Sequence, residues 1–368
     1  MSGVSPEQQE IRALAREFAA AELRPHVERW DHDAAFDEAV LPQLGELGFF
    51  GMVAPESDGG MALDAGSWLA ALEELAWGEA SLALAIAFHA QVVRLVAEHG
   101  SEGVRRQWLE RLAAGDALGC LALAEDEAGA HLEGTATTAR RDDAAWVLSG
   151  TKRWVSNARA GGAMVVLARA SEGPTLFLVP VDATGVTHGA RDATLGLRPL
   201  DVRTIELHDV RVEDSARLGD AGAALAVLAD AAPPAAQAIA AVGVGVAQSA
   251  LDHARGYADV REQFGQKLRR FEGLQFKLAD MAVRTRAARA LLQDAVASGD
   301  PAVARMAKVF AAEAALYVAT DAVQVYGGYG YMRDYPVEKL MRDARALSLL
   351  GGPDDGHRVA IAESLYQD

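Results

Sequence analysis

The chain is 368 residues long and 51% apolar, with 52 acidic against 35 basic residues and a net charge of −17. That charge opposes phosphate backbones and anionic membrane surfaces, so neither nucleic acid nor a membrane is an expected partner, and the length suits two or three packed units. A single cysteine, Cys120, rules out an internal disulfide; with no signal-like start and no charge-free apolar run of about 18 residues expected, the protein is placed in the cytoplasm.

Ser5 ahead of Pro6, with Gln8 three residues on, predicts a capped helix start, and Ile11, Leu14, Ala15 and Phe18 give that helix one apolar face. Similar spacing over 41–48, 68–77, 82–99 and 104–112, broken by glycine-rich turns such as Asp58-Gly59-Gly60, predicts a helical domain over residues 1–118. The pattern then changes to short runs rich in Val, Leu, Thr and Trp at 146–148, 164–167, 176–181 and 204–207, which predicts a β domain, barrel-like or sandwich-like, over 119–222. Helical periodicity returns in long segments at 238–259, 274–297 and 301–326, so residues 223–368 read as a four-helix bundle. Residues 221–247 are alanine-rich enough to be ambiguous. The fold class is α+β, mostly α.

Three motifs stand out. Arg261-Glu262-Gln263-Phe264-Gly265-Gln266 leads into Phe271-Glu272-Gly273-Leu274-Gln275, and Gln324-Val325-Tyr326-Gly327-Gly328-Tyr329-Gly330-Tyr331 is followed by Arg342-Asp343-Ala344. The third is Gly150-Thr151-Lys152-Arg153-Trp154-Val155-Ser156-Asn157-Ala158. In this order and spacing they resemble the acyl-CoA dehydrogenase family over nearly the whole chain. The resemblance implies a flavoprotein oxidoreductase of lipid metabolism that binds FAD, acts on an acyl thioester carried by coenzyme A or a carrier protein, and forms a homo- or hetero-tetramer. It also implies the cofactor contacts. Trp154 would cover one face of the flavin ring and Ser156 would hydrogen-bond N5, with Leu121, Leu123 and Ala124 along the loop at the ring's edge. Arg261, Gln263, Phe264, Gln324, Gly327 and Gly328 would reach across a dimer interface to the partner's cofactor. Without the resemblance, Trp154 reads as a core aromatic, Arg261 as a surface arginine and the glycines as a helix terminus.

The sequence departs from the family at its chemistry. Counting from Arg342-Asp343-Ala344, the catalytic glutamate of the family's E-G-T tripeptide falls on Gly351, and the alternative position used by some members falls on Ala235, with Ala236 where arginine is common. Ala124 and Ala130 replace the threonine and serine of the family's T-E-P-x-A-G-S-D loop, and His131 replaces its aspartate. Asp354 and Asp355 are candidate substitute bases, read alternatively as helix N-terminal carboxylates. A lost base costs roughly 10² to 10⁴ in rate. Three functions follow: a dehydrogenase-type flavoprotein, alone or as the non-catalytic subunit of a hetero-oligomer; an oxygenase or oxidase on the same fold; or an interaction subunit with no enzymatic role.

Overall fold

The first helix starts as its cap predicts, with the Ser5 hydroxyl accepting the Gln8 N–H at 3.0 Å. In the computed structural model, which describes residues 5–37, 39–129, 131–158 and 161–366, α1 (Pro6–Phe18) continues through a π turn (Ala19–Leu23). It is followed by α2 (Val27–Asp33), α3 (Val40–Glu46), α4 (Ala65–Gly78), α5 (Ala80–His99) and α6 (Glu102–Ala114). Helix α5 buries its apolar residues almost all round, from Leu82 to Val96, because it lies between the other helices and the β layer.

Eight strands follow: β1 (Leu118–Ala122), β2 (Thr138–Asp142), β3 (Ala145–Val155), β4 (Gly162–Ala170), β5 (Gly173–Pro180), β6 (Val186–Arg191), β7 (Arg203–Glu213) and β8 (Arg217–Leu218). They form one sheet in the order β6-β7-β3-β2-β4-β5-β8, with β1 parallel to β4. The short apolar runs seen in the sequence fall on β3, β4, β5 and β7. Strands β1, β2, β6 and β8 carry too few alternating apolar residues to signal themselves, and pairing with longer neighbours makes them strands.

The chain ends in α7 (Ala224–Val260), a two-strand turn β9 (Glu262–Gln263) and β10 (Gln266–Lys267), then α8 (Glu272–Ser298), α9 (Pro301–Tyr326), α10 (Pro336–Leu347) and α11 (Asp354–Ser364). Helix α7 begins well before the predicted residue 238 and runs through Pro233 and Pro234. Alanine's high helix propensity on both sides sustains it, although the two prolines supply no N–H to the turn before them. Residues 231–251 carry no charge, and α5 and α7 have the length and apolar character of membrane spans, contrary to the expectation that no such run exists. Both pack in the core: Ala238–Ala241 and Val244–Ala247 of α7 and Leu82–Ala87 of α5 share one buried cluster.

One ion cluster joins all three units. The Lys339 ammonium on α10 sits 2.6 Å from Asp343 and 2.8 Å from Glu79 at the start of α5, all three buried. Asp343 also accepts the N–H of Leu197, from the loop between β6 and β7, at 2.6 Å. Beside it Arg342 pairs with Asp31 of α2 at 2.7 Å and with Glu338 at 2.7 Å, and donates to the Leu195 carbonyl. Gly196 is required there, since a Cβ would lie 2.3 Å from the Arg342 carbonyl. The Arg342-Asp343-Ala344 motif is therefore a three-way joint. Removing one partner of such a buried group strands the other charge. Lys339→Met is expected to lose about 3–5 kcal/mol of stability in urea denaturation; a loss below about 1 kcal/mol would show that the joint is not cooperative with the fold.

Candidate flavin site

Strand β3 delivers its aromatic through a bulge. Lys152 pairs with Ile205 of β7 and Val155 with Arg203, so β3 carries one extra residue between them. Trp154 sits in this bulge with φ +56°, a left-handed conformation that a bulky side chain rarely adopts, and the residue is 50% exposed. The core-aromatic reading of Trp154 is thereby overturned. Two residues on, the Ser156 side chain is buried. Asn157, also left-handed at φ +65°, donates through Nδ2 to the carbonyls of Ala85 and Gly119 at 2.9 and 3.2 Å, stitching β3 to α5 and β1.

The loop leading to β2 is held from inside. Lys152 is fully buried and its ammonium reaches Glu125 at 2.6 Å, the Thr135 hydroxyl at 3.0 Å and the Leu123 carbonyl at 3.2 Å. Glu125 further accepts from both hydroxyls of Thr135 and Thr137 and from the N–H groups of Ala136 and Thr137. Burial pushes its carboxyl up, but Lys152 and these donors outweigh it and hold Glu125 at about 2. The flanking Ala124 carbonyl takes the Arg153 N–H at 2.9 Å. Leu121 and Leu123 are half-buried, their side chains packed against the core. His131 is exposed and Ala130 lies outside the described residues. Sequence reading passed over Glu125 and Lys152, although both stood in its motifs.

A second group forms where α7 and α9 end. Tyr257 stacks on Tyr326 with centroids 4.0 Å apart, drawing the two C-termini together. Arg261 follows directly, its guanidinium 5.7 Å from the Tyr329 ring and in no ion pair among the described residues. Phe264 is 92% exposed at φ +50°, Gln263 and Gln324 are exposed, and Gly327 at φ +61° and Gly328 have open space where a Cβ would be. Exposed aromatics, an unpaired guanidinium and bare backbone suit a surface that meets something outside this chain.

The turn at residues 351–352, where the resemblance would place the family's glutamate, is clamped. Gly351 lies at φ +65° and Gly352 at φ +93°. The Gly351 carbonyl accepts from His357 Nε2 at 3.0 Å, and the fully buried Lys308 of α9 donates to the Gly352 carbonyl at 3.0 Å and pairs with Asp354 at 2.6 Å. Asp354 is thus committed to a buried lysine. Asp355 pairs with Arg358 at 2.8 Å, its side chain 94% exposed. Both sit in the first turn of α11, as their helix-end reading anticipates. Ala235 is half-buried and Ala236 buried, and neither methyl group has acid–base chemistry.

The acyl-CoA dehydrogenase N-terminal, middle and C-terminal domain families match residues 5–116, 120–210 and 226–366 in turn. The chain belongs to the acyl-CoA dehydrogenase family. It is 34% identical over 370 residues, 98% of its length and 90% of the relative's, to the short-chain specific acyl-CoA dehydrogenase, mitochondrial, of Bos taurus. Among solved structures it is similar to butyryl-CoA dehydrogenase from Megasphaera elsdenii, with TM-score 0.96, 29% identity and full coverage of both chains. It is also similar to the prolyl acyl carrier protein oxidase AnaB, with TM-score 0.94, 26% identity and coverage of 99% of this chain and 100% of that one. A third neighbour is a glutaryl-CoA dehydrogenase from Mycobacterium smegmatis in complex with FADH2, at TM-score 0.94 and 28% identity over 98% of this chain and 95% of that one. FAD is the family's cofactor, and the donor set suits it: a half-exposed indole face and a serine hydroxyl for the ring, an unpaired arginine and bare glycine backbone for the pyrophosphate.

Two outcomes test this geometry. Glu125 has its folded value below its ordinary 4.5, so its stabilisation is complete above pH 4.5 and is lost as pH falls through about 2. Glu125→Gln should lose about 1–3 kcal/mol at pH 7 and flatten the acid limb of the stability curve, as followed by circular dichroism. For the turn, Asp354→Asn should lose about 1–3 kcal/mol and Asp355→Asn less than about 0.5 kcal/mol; equal losses in urea titrations would contradict the clamp.

Proposed function

We propose that this chain is a FAD-binding subunit of acyl-CoA dehydrogenase type whose own site lacks the α-proton base, working beside a subunit that supplies a carboxylate. The observation that carries it is an asymmetry. The turn at residue 351 is glycine, left-handed and clamped, while Arg261, Phe264, Gln324, Gly327 and Gly328 are exposed and intact. Groups directed outward survive, and the group needed inside is gone.

When bound, FAD supplies a two-electron acceptor. The chain's part would be to stack the ring on Trp154, hydrogen-bond it from Ser156 and hold the neighbouring loop through Lys152 and Glu125. Arg261, Gln263, Phe264 and Gln324 would complete the cofactor site of a second subunit in a tetramer, homo- or hetero-oligomeric, with an acyl thioester of coenzyme A or a carrier protein as ligand. A buried lone cysteine and no disulfide among the described residues suit the reducing cytoplasm, where we place it.

Oxidase chemistry on a carrier-bound acyl group is the second reading, favoured by the likeness to AnaB. The deciding experiment is the visible spectrum of the purified protein with flavin counted per chain, then anaerobic addition of acyl-CoA thioesters. Bound flavin that fails to bleach, or bleaches roughly 10² to 10⁴ times more slowly than an ordinary positioned base allows, is the expected result. Rapid bleaching by this chain alone would overturn the base-less reading, and thioester-dependent oxygen uptake would select the oxidase.

A further inference from the structure

Gly351 differs from the other exposed glycines of the C-terminal unit in what lies beneath it. A Cβ built on Gly351 would come 2.5 Å from the Ile239 Cδ1 atom, whereas a Cβ on Gly327, Gly328 or Gly356 would meet nothing within 4 Å. Ile239 is on α7, 1% exposed, between the buried residues Ala238 and Ala240. Its β-branch leaves one strongly preferred χ1 rotamer in a helix, and the Cδ1 methyl can yield to a side chain at 351 only by turning about χ2 within the buried surroundings of Ile239. The turn above it is also restrained, since the Gly351 carbonyl is tied to His357, the Gly352 carbonyl to Lys308, and the Asp354 N–H to the Ser348 carbonyl at 2.9 Å.

We infer that Ile239 is a second determinant of the missing base: its Cδ1 methyl occupies the place where the side chain of residue 351 would begin, so that Ile239 and Gly351 form a matched pair. The loss at 351 is then more than one substitution. Any side chain at 351 meets two separate obstacles, the left-handed backbone and the isoleucine methyl, and only the second is removed by changing Ile239. The functional weight of this inference rests on reading residue 351 as the base position; the steric pairing does not.

Ile239→Val deletes only the Cδ1 methyl, so a double-mutant cycle isolates the contact. Thermal unfolding followed by circular dichroism needs no flavin and no substrate. Gly351→Ala is expected to lower Tm by about 6 °C in the native chain but by about 2 °C in the Ile239→Val chain, the remainder being the backbone strain common to both. Equal losses in the two backgrounds would overturn the pairing. Should Gly351→Ala fail to fold in the native chain yet fold with Ile239→Val, that rescue supports it. A second arm compares Gly351→Glu with the Ile239→Val/Gly351→Glu double variant for anaerobic bleaching of bound flavin by butyryl-CoA. A gain of at least about tenfold only in the double variant is expected, and an equal gain in Gly351→Glu alone would again overturn the pairing. Coupling in the thermal cycle with no bleaching in either glutamate variant would leave the pairing standing and instead defeat the proposed dehydrogenase site.

Discussion

Burying an ammonium group costs several kcal/mol unless a carboxylate and further acceptors surround it, and this chain meets that constraint with Lys152, Lys308 and Lys339. Each is buried and each lies 2.6 Å from a carboxylate, namely Glu125, Asp354 and Asp343. Each also fixes one loop that shapes the site. Lys152 holds the loop beside the Trp154 bulge, Lys308 holds the turn at Gly351, and Lys339 joins the helical units to the loop at Leu197. Hydrophobic packing alone would leave these loops free to slide, because it has no direction. A buried charge pair tolerates little displacement before one partner is stranded.

The same constraint explains how the turn at residues 351–352 keeps its form. None of the three pairs involves residue 351, so the turn is held without a side chain at that position. Lys308 binds the turn through the Gly352 carbonyl and Asp354, which are independent of the side chain at 351.

Left-handed backbone occurs at nine non-glycine residues among those described, the expected cofactor contacts Trp154 and Phe264 being two of them. Trp154, Asn157 and Phe264 all hold left-handed backbone conformations without being glycine, and a penalty of this kind persists when the surroundings fix it. Asn157 is fixed by two carbonyls, and Trp154 by the bulge between Lys152 and Val155. Phe264 sits in the tight turn between the paired strands β9 and β10 and meets the Phe271 ring edge-on with centroids 6.4 Å apart, its side chain otherwise exposed.

Period and punctuation in the sequence determined the order of units, most helices and the four long strands, because those signals depend on neighbouring residues alone. The motifs determined the family, and counting along them exposed the glycine at 351. Contacts between distant residues were decided only in the folded chain. The short strands β1, β2, β6 and β8 exist through pairing, and α7 runs on through its prolines where period alone places the helix start at 238. Asp354 reads in sequence as a free carboxylate beside a vacant site, yet a lysine 46 positions earlier binds it. Arg342-Asp343 reads as a family mark, yet its work is to hold Asp31 and Leu197. The physical reason is that charge burial and Cβ clearance are properties of three-dimensional neighbourhoods, and no local pattern in the chain encodes which distant side chain will fill them.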